Sequence, residues 1–322
     1  MSWVKVSDEL LEQSRKVNAT VEEALASAPP VHMVEPAVSR AERLEGRGVF
    51  PAPVRLKEGQ DRIIRGPAGD ISLRVFVPEQ PEGVYLHLHG GGWVLGAADQ
   101  QDLLLQALAT LTNVAAISVE YRLAPEHPFP AGPDDCEAAA CWLVEHAKRE
   151  FGTDRLLIGG ESAGAHLSAL TLLRLRDRHK MAGVFCGANL VFGAFDLGMT
   201  PSQRNWGERN LILSTPILRW FYDLFTPSLS PEQRRDPAIS PLWADLHGMP
   251  PALFIVGTRD PLLDDSLFMA ARWRVAGNEA ELLVYPESVH GFHAFPTGIA
   301  SMAIEAQLGF VKRVLNSGAS TR

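Results

Sequence analysis

The sequence predicts an α/β fold, a doubly wound sheet of mostly parallel strands, and two features carry that expectation. Short apolar runs of strand length alternate with stretches of helical spacing along most of the chain, and one G-x-S-x-G motif sits directly between such a run and a helix. At 322 residues the chain suits one large unit with an appended element. Hydrophobic residues at 46% and charged residues at 21% exclude disordered and fibrous classes.

The elements follow in order. Residues 7–45 alternate apolar and charged positions at helical spacing, with Pro29 and Pro30 as a break, so two short helices are expected there. Residues 61–65 and 71–77, either side of Gly66-Pro67-Ala68-Gly69, read as two strands and a turn. The apolar runs 84–89 and 114–120 flank a helical stretch at 99–111, the spacing of parallel strands joined by a crossover. A helix around 134–149, a strand at 155–159, a helix at 163–178 and a strand at 183–192 repeat the pattern. From 196 to 248 the periodicity gives way to a stretch with Trp206, Trp220, Phe221, Tyr222, Phe225 and Trp243. The alternation then resumes with a strand at 252–256, a helix at 265–276, a strand at 281–285 and a final helix at about 299–315. The organisation expected is therefore an N-terminal helical segment at 1–50, an α/β unit formed by 51–195 and 249–322, and an inserted cap at 196–248.

Charge and cysteine content narrow the function. A formal charge of −8 without a Lys/Arg-rich run would repel nucleic acid, so a neutral small molecule is the expected partner. Cys136, Cys141 and Cys186 are odd in number and lack C-x-x-C spacing, which argues against a disulfide framework or a zinc ribbon. The first twenty residues hold no apolar core of signal-peptide length, and no apolar run approaches the ~20 residues of a membrane span. A cytoplasmic protein with no membrane span is expected.

Ser162, in Gly160-Glu161-Ser162-Ala163-Gly164, is the candidate nucleophile. The strand–turn–helix context is what a nucleophile elbow needs, although a helix-capping serine between glycines would look the same in isolation. Upstream, His89-Gly90-Gly91-Gly92-Trp93 ends a strand, and its glycines would let backbone N–H groups reach a developing oxyanion. Gly91, Gly92 and Ala163 are the expected donors, with His89, Gly90 and Glu161 supporting them. The glycines do not fit G-x-G-x-x-G, since Leu95 stands at the last glycine, and no Walker lysine follows, so no nucleotide cofactor is expected. His87 and His89 share a strand face as a metal pair would, but no further ligand follows closely, and no metal is expected. His87 is expected to be a satisfied core histidine.

Such an elbow is followed in chain order by an acid after a late strand and a histidine after the last one. Asp260 and His290 occupy those places, with His290 as general base and Asp260 as the acid that orients it. Asp264 and Asp265 are alternative acids, though a helix start offers them another reason to be there. His293 is the alternative base, and His247 reads as structural.

Together these residues resemble the hormone-sensitive-lipase-like (bacterial family IV) esterases. Besides the two glycine motifs, Tyr121-Arg122-Leu123-Ala124-Pro125-Glu126 with His127-Pro128-Phe129-Pro130-Ala131, Asp260-Pro261-Leu262 and His290-Gly291-Phe292 carry the likeness, from about residue 84 to the C-terminus. The resemblance implies an α/β-hydrolase fold with an eight-stranded, mostly parallel sheet and helices on both faces. It also implies a cap from the N-terminal helices and the insertion, cofactor-free hydrolysis of short acyl esters, and a homodimer through the last strand and helix as one assembly. Glu161 stands where many members have aspartate, a change expected to matter little to the mechanism. The Tyr121 segment is expected to anchor a loop beneath the site by hydrogen bonds and an Arg–carboxylate pair.

Overall fold

The structure, a computed structural model, describes residues 2–317. Its strands are β1 (Ser2–Trp3), β2 (Gln60–Gly66), β3 (Gly69–Phe76), β4 (Gly83–Leu88), β5 (Val114–Val119), β6 (Leu156–Glu161), β7 (Phe185–Val191), β8 (Ala252–Arg259) and β9 (Ala280–Val289). The helices are α1 (Asp8–Ala26), α2 (Pro36–Leu44), α3 (Asp102–Thr112), α4 (Ala131–Phe151), α5 (Ala163–His179), α6 (Pro201–Asn205), α7 (Thr215–Phe225), α8 (Leu263–Val275) and α9 (Gly298–Ser317).

One sheet runs in the order β1-β9-β8-β7-β6-β4-β5-β3-β2. The eight expected strands are β2 to β9; β1 is a ninth that sequence pattern did not reveal. It pairs in parallel with the outer edge of β9, Ser2 opposite Leu283 and Trp3 opposite Val284. Two residues carry no alternation, so only the tertiary context makes them a strand. β3 runs antiparallel to β5 and to β2, from which only Pro67 and Ala68 separate it, too short a link for a crossover. Strands β4, β5 and β6 are buried along their whole length, which explains why they read as unbroken apolar runs rather than alternating ones.

The topology creates the crevice. From β4 the chain passes through α3 to β5 on one side, whereas from β6 it passes through α5 to β7 on the other. β4 and β6 are themselves adjacent, Leu88 opposite Gly160, so their carboxyl ends part at a switch point of the sheet, where open α/β folds place ligands. The glycine loop leaves β4 there and Ser162 leaves β6 there. Helix α5 is buried from Ala163 through Leu175, which fixes the nucleophile turn to the interior rather than to a mobile surface loop.

Two segments lie over this crevice. Helix α2 starts on Pro36 and is tied down by Arg40, whose Nε donates to Val94 O (2.7 Å) and Nη2 to Ala124 O (2.8 Å), with a two-pronged pair to Glu126. The turn Val31–Met33 packs on α7. The insertion is held by Asp265, which sits at the start of α8 as expected but points away from the candidate base. Its Oδ1 accepts from Phe195 N (2.7 Å) and Asp196 N (2.9 Å), and its Oδ2 from Thr200 Oγ1 (2.7 Å) and Gln203 Nε2 (2.6 Å). Burial pushes its pKa up to about 7 against the pull of these four donors. Among the described residues no helix is long and apolar enough to cross a membrane.

Asp265→Ala leaves four buried donors without an acceptor, so the free energy of unfolding in urea is expected to fall by about 3 kcal/mol or more. A loss below about 1 kcal/mol would show that Asp265 does not hold the insertion.

Candidate active site

Ser162 joins β6 to α5 with φ 57° and ψ −118°, a conformation that costs a non-glycine residue roughly 1–3 kcal/mol. The turn is held from both sides: Ser162 N donates to Val191 O (2.9 Å), and Ser162 O accepts from Ala165 N (3.1 Å) and His166 N (3.2 Å). The flanking glycines are required by the end of β4. A Cβ at Gly160 or Gly164 would lie 2.0 or 1.8 Å from the Leu88 carbonyl oxygen, inside any tolerable contact.

His290 follows β9 and Asp260 follows β8, and the structure brings both to Ser162. His290 Nδ1 donates to Asp260 Oδ2 (2.8 Å), which leaves Nε2 free to accept from Ser162 Oγ (2.9 Å). Asp260 Oδ1 accepts from Leu262 N (2.8 Å), so the carboxylate is fixed at both oxygens. His290 and Asp260 are buried, and Phe192 packs edge-on against the imidazole.

The rivals are not bonded to Ser162. Asp264 accepts from Ser202 N (2.8 Å), and Asp265 serves the insertion. His293 stacks on Phe192; burial pushes its pKa down, and its Nδ1 has no partner among the described residues. His247 is exposed and pairs with Asp245 (2.6 Å).

The glycine loop lines the same cavity as Ser162 and His290. Gly91 (φ 115°) and Gly92 (φ 63°) take left-handed backbone, and a Cβ at Gly91 would meet Leu95 O at 2.2 Å. Among the described residues neither glycine N–H has a protein acceptor, and Ala163 N, first in α5, is one of that helix's unpaired donors. Gly90 N is already engaged by Glu161 Oε1 (3.0 Å).

Glu161 organises this corner. Its Oε1 also accepts from Gln101 Nε2 (3.1 Å), and its Oε2 from His87 Nε2 (2.9 Å), while His87 Nδ1 accepts from Ser118 Oγ (2.9 Å). Burial alone would raise the Glu161 pKa, but His87, His293 and the Gly90 amide outweigh it and hold the carboxyl near 2. His87 is thus satisfied, through a partner on the neighbouring strand. His89 stacks on Tyr121 at 4.1 Å and holds Gly90 O with Nδ1 (2.9 Å), and burial keeps it neutral with a pKa of about 4. Tyr121 Oη donates to His89 O (2.7 Å), and Arg122 grips Asp135 with two bonds of 2.8 Å, the anchoring read from the Tyr121 segment. Among the described residues no three His, Cys, Asp or Glu side chains converge as a metal would require.

Two links from the loop to the insertion were not visible in the sequence. Trp93 stacks on Phe225 of α7 at 4.6 Å, and its Nε1 donates to His166 Nδ1 (3.1 Å). His166 Nε2 in turn donates to Ile239 O (2.7 Å). Burial brings His166 to a pKa of about 4, so it is neutral and can accept from Trp93. A cavity of about 720 Å³ opens over Ser162, His290 and the glycine loop, walled by Val31, Val34 and Phe50 on one side and Leu213, Leu218 and Phe221 on the other.

Residues 85–294 match a protein family described as having the alpha/beta hydrolase fold. The chain belongs to this α/β-hydrolase family, as its glycine loop and serine turn indicated. Carboxylic ester hydrolase LipN of Mycobacterium tuberculosis is 35% identical over 267 residues, covering 79% of this chain and 69% of that protein. Ethyl acetate hydrolase of Pseudomonas putida is 32% identical over 69% of this chain and 71% of its own length. Among solved structures, an esterase of Pyrobaculum calidifontis superposes with a TM-score of 0.81 at 26% identity, covering 96% of this chain and 99% of that one.

A carboxyl with a folded pKa near 2 lies below its unfolded value of about 4.3, so ionised Glu161 contributes stability above that pH and loses it as pH falls toward 2. Glu161→Gln lacks this term. The gap in denaturant midpoint between wild type and variant is therefore expected to narrow between about pH 5 and about pH 2. A gap independent of pH would rule out a depressed Glu161 pKa.

Proposed function

We propose that this chain is a serine carboxylic ester hydrolase that cleaves short-chain acyl esters through an acyl-enzyme at Ser162. The observation that carries the reading is the continuous hydrogen-bond chain from Asp260 through His290 to Ser162 Oγ, opening into a cavity that Gly91, Gly92 and Ala163 also line. In this mechanism His290 Nε2 takes the Ser162 proton as Oγ bonds to the ester carbonyl carbon, and Asp260 stabilises the imidazolium. The three amides receive the oxyanion. Collapse expels the alcohol, which leaves with the proton from His290. Water then repeats the sequence on the acyl-enzyme and releases the acid. No metal or cofactor enters any of these steps.

Segments 1–50, apart from β1 in the sheet, and 196–248 act as the cap over a catalytic unit formed by 51–195 and 249–322. The apolar walls they supply support a small acyl or alcohol group in the cavity. A cytoplasmic setting and a homodimer through β9 and α9 belong to the same reading.

Ser162→Ala is expected to abolish p-nitrophenyl butyrate turnover, and Asp260→Asn to lower kcat by about 10⁴-fold through loss of the correct imidazole tautomer. Wild-type rates in Ser162→Ala would overturn the assignment. Across a series of p-nitrophenyl esters, kcat/KM is expected to peak at short acyl chains. A maximum at palmitate would exclude the short-chain preference while leaving the nucleophile in place.

A further inference from the structure

Helix α2 delivers two arginines to the site, three residues apart and used in opposite ways. Arg40 spends its guanidinium on Val94 O, Ala124 O and Glu126. Arg43 lines the cavity over Ser162, half-buried, with neither a hydrogen bond nor an ion pair among the described residues. The other arginines without such a partner among the described residues, Arg204 and Arg219, are exposed. Arg43 rests instead on the face of Phe50, its Cζ 5.5 Å from the ring centroid, and Phe50 is itself stacked on Phe295.

Among the described residues no carboxylate is bonded to Arg43. Glu42 also lines the cavity but is not paired with it; Arg47, another lining residue, is paired with Glu45. Glu161 is the other carboxylate of the cavity wall, and its oxygens are filled by His87, Gly90 N and Gln101. The charge of Arg43 is felt by His89 and that of Glu161 by Arg43, which sets the guanidinium on the glycine-loop side of the cavity. Burial pushes the pKa of Arg43 down against the smaller upward pull of Glu161 and Tyr121. A planar guanidinium in this state is suited to a carboxylate that arrives from outside.

We infer that Arg43 is a specificity residue for esters that carry a second, ionised carboxylate, on either the acyl or the alcohol arm. The inference rests on the ester-hydrolase reading above and names its substrate class: monoesters of short dicarboxylic acids, or acyl esters of carboxylated alcohols. At a net charge of −8 the molecule repels such an anion at a distance, so a local cation inside the cavity is needed to admit it.

The test compares two matched pairs near neutral pH: mono-p-nitrophenyl glutarate against p-nitrophenyl pentanoate for the acyl arm, and 4-acetoxybenzoate against phenyl acetate for the alcohol arm. In wild type the charged member of one pair should be accepted at a rate comparable to its neutral partner. Arg43→Gln is expected to lower the charged-to-neutral ratio of kcat/KM for that pair by about 10- to 100-fold, mainly through KM, with Arg43→Lys in between. The pair that responds identifies the arm. Ratios unchanged within about twofold in both pairs, with the neutral esters still hydrolysed, would overturn the role of Arg43 alone. Failure of wild type on every neutral ester would instead overturn the hydrolase reading beneath it.

Discussion

The active corner of this molecule depends on one buried carboxylate. Glu161 is the last residue of β6, directly before the strained serine, and it binds the amide of Gly90 on one oxygen and His87 of β4 on the other. The strand that leads into Ser162 is thereby fastened to the strand that leads into the glycine loop. Donors held in advance need not reorient as charge develops, and Glu161 holds the backbone at Gly90, next to the two glycines proposed as donors. The same residue explains why Gly90 is not an expected donor to an oxyanion: its N–H is already committed.

A second layer of organisation joins the core to the segments above it. Trp93, immediately after the glycines, is clasped by Phe225 and His166, and His166 reaches Ile239 in the insertion. Asp265 ties the start of that insertion to α8, and Arg40 ties α2 to the loop after Trp93 and to the Tyr121 segment. The walls of the cavity are therefore anchored to the same backbone that holds the reacting groups. Changes in the insertion should be felt as changes in site geometry as well as in pocket shape.

Much of this was legible from the chain alone, for a physical reason. Strands buried on both faces, helices with an apolar stripe and a turn that tolerates only glycine two residues either side of Ser162 are local demands, written into adjacent residues. The pairing of Asp260 and His290 with Ser162 followed from strand order. What was hidden depends on contacts between distant residues: His87 finding Glu161 across two strands, Asp265 leaving its helix start to serve residues 195–203, Trp93 meeting His166. Arg43 shows the same limit from the other side. Net charge pointed to a neutral ligand, but it averages over the surface and says nothing of one unpaired cation inside a cavity.

The outermost strand bears on how copies of this chain can meet. A sheet edge with free amides and carbonyls is a template for another chain, and proteins commonly blunt it. Here β2 closes one edge with Asp61, Arg62 and Arg65 along its length. At the other edge Ser2 and Trp3 occupy the rim of β9 at Leu283 and Val284. Two molecules joining by strand addition at β9 would first have to peel that ribbon away. Self-association by strand addition at Leu283 and Val284 is thus coupled to displacement of Ser2 and Trp3.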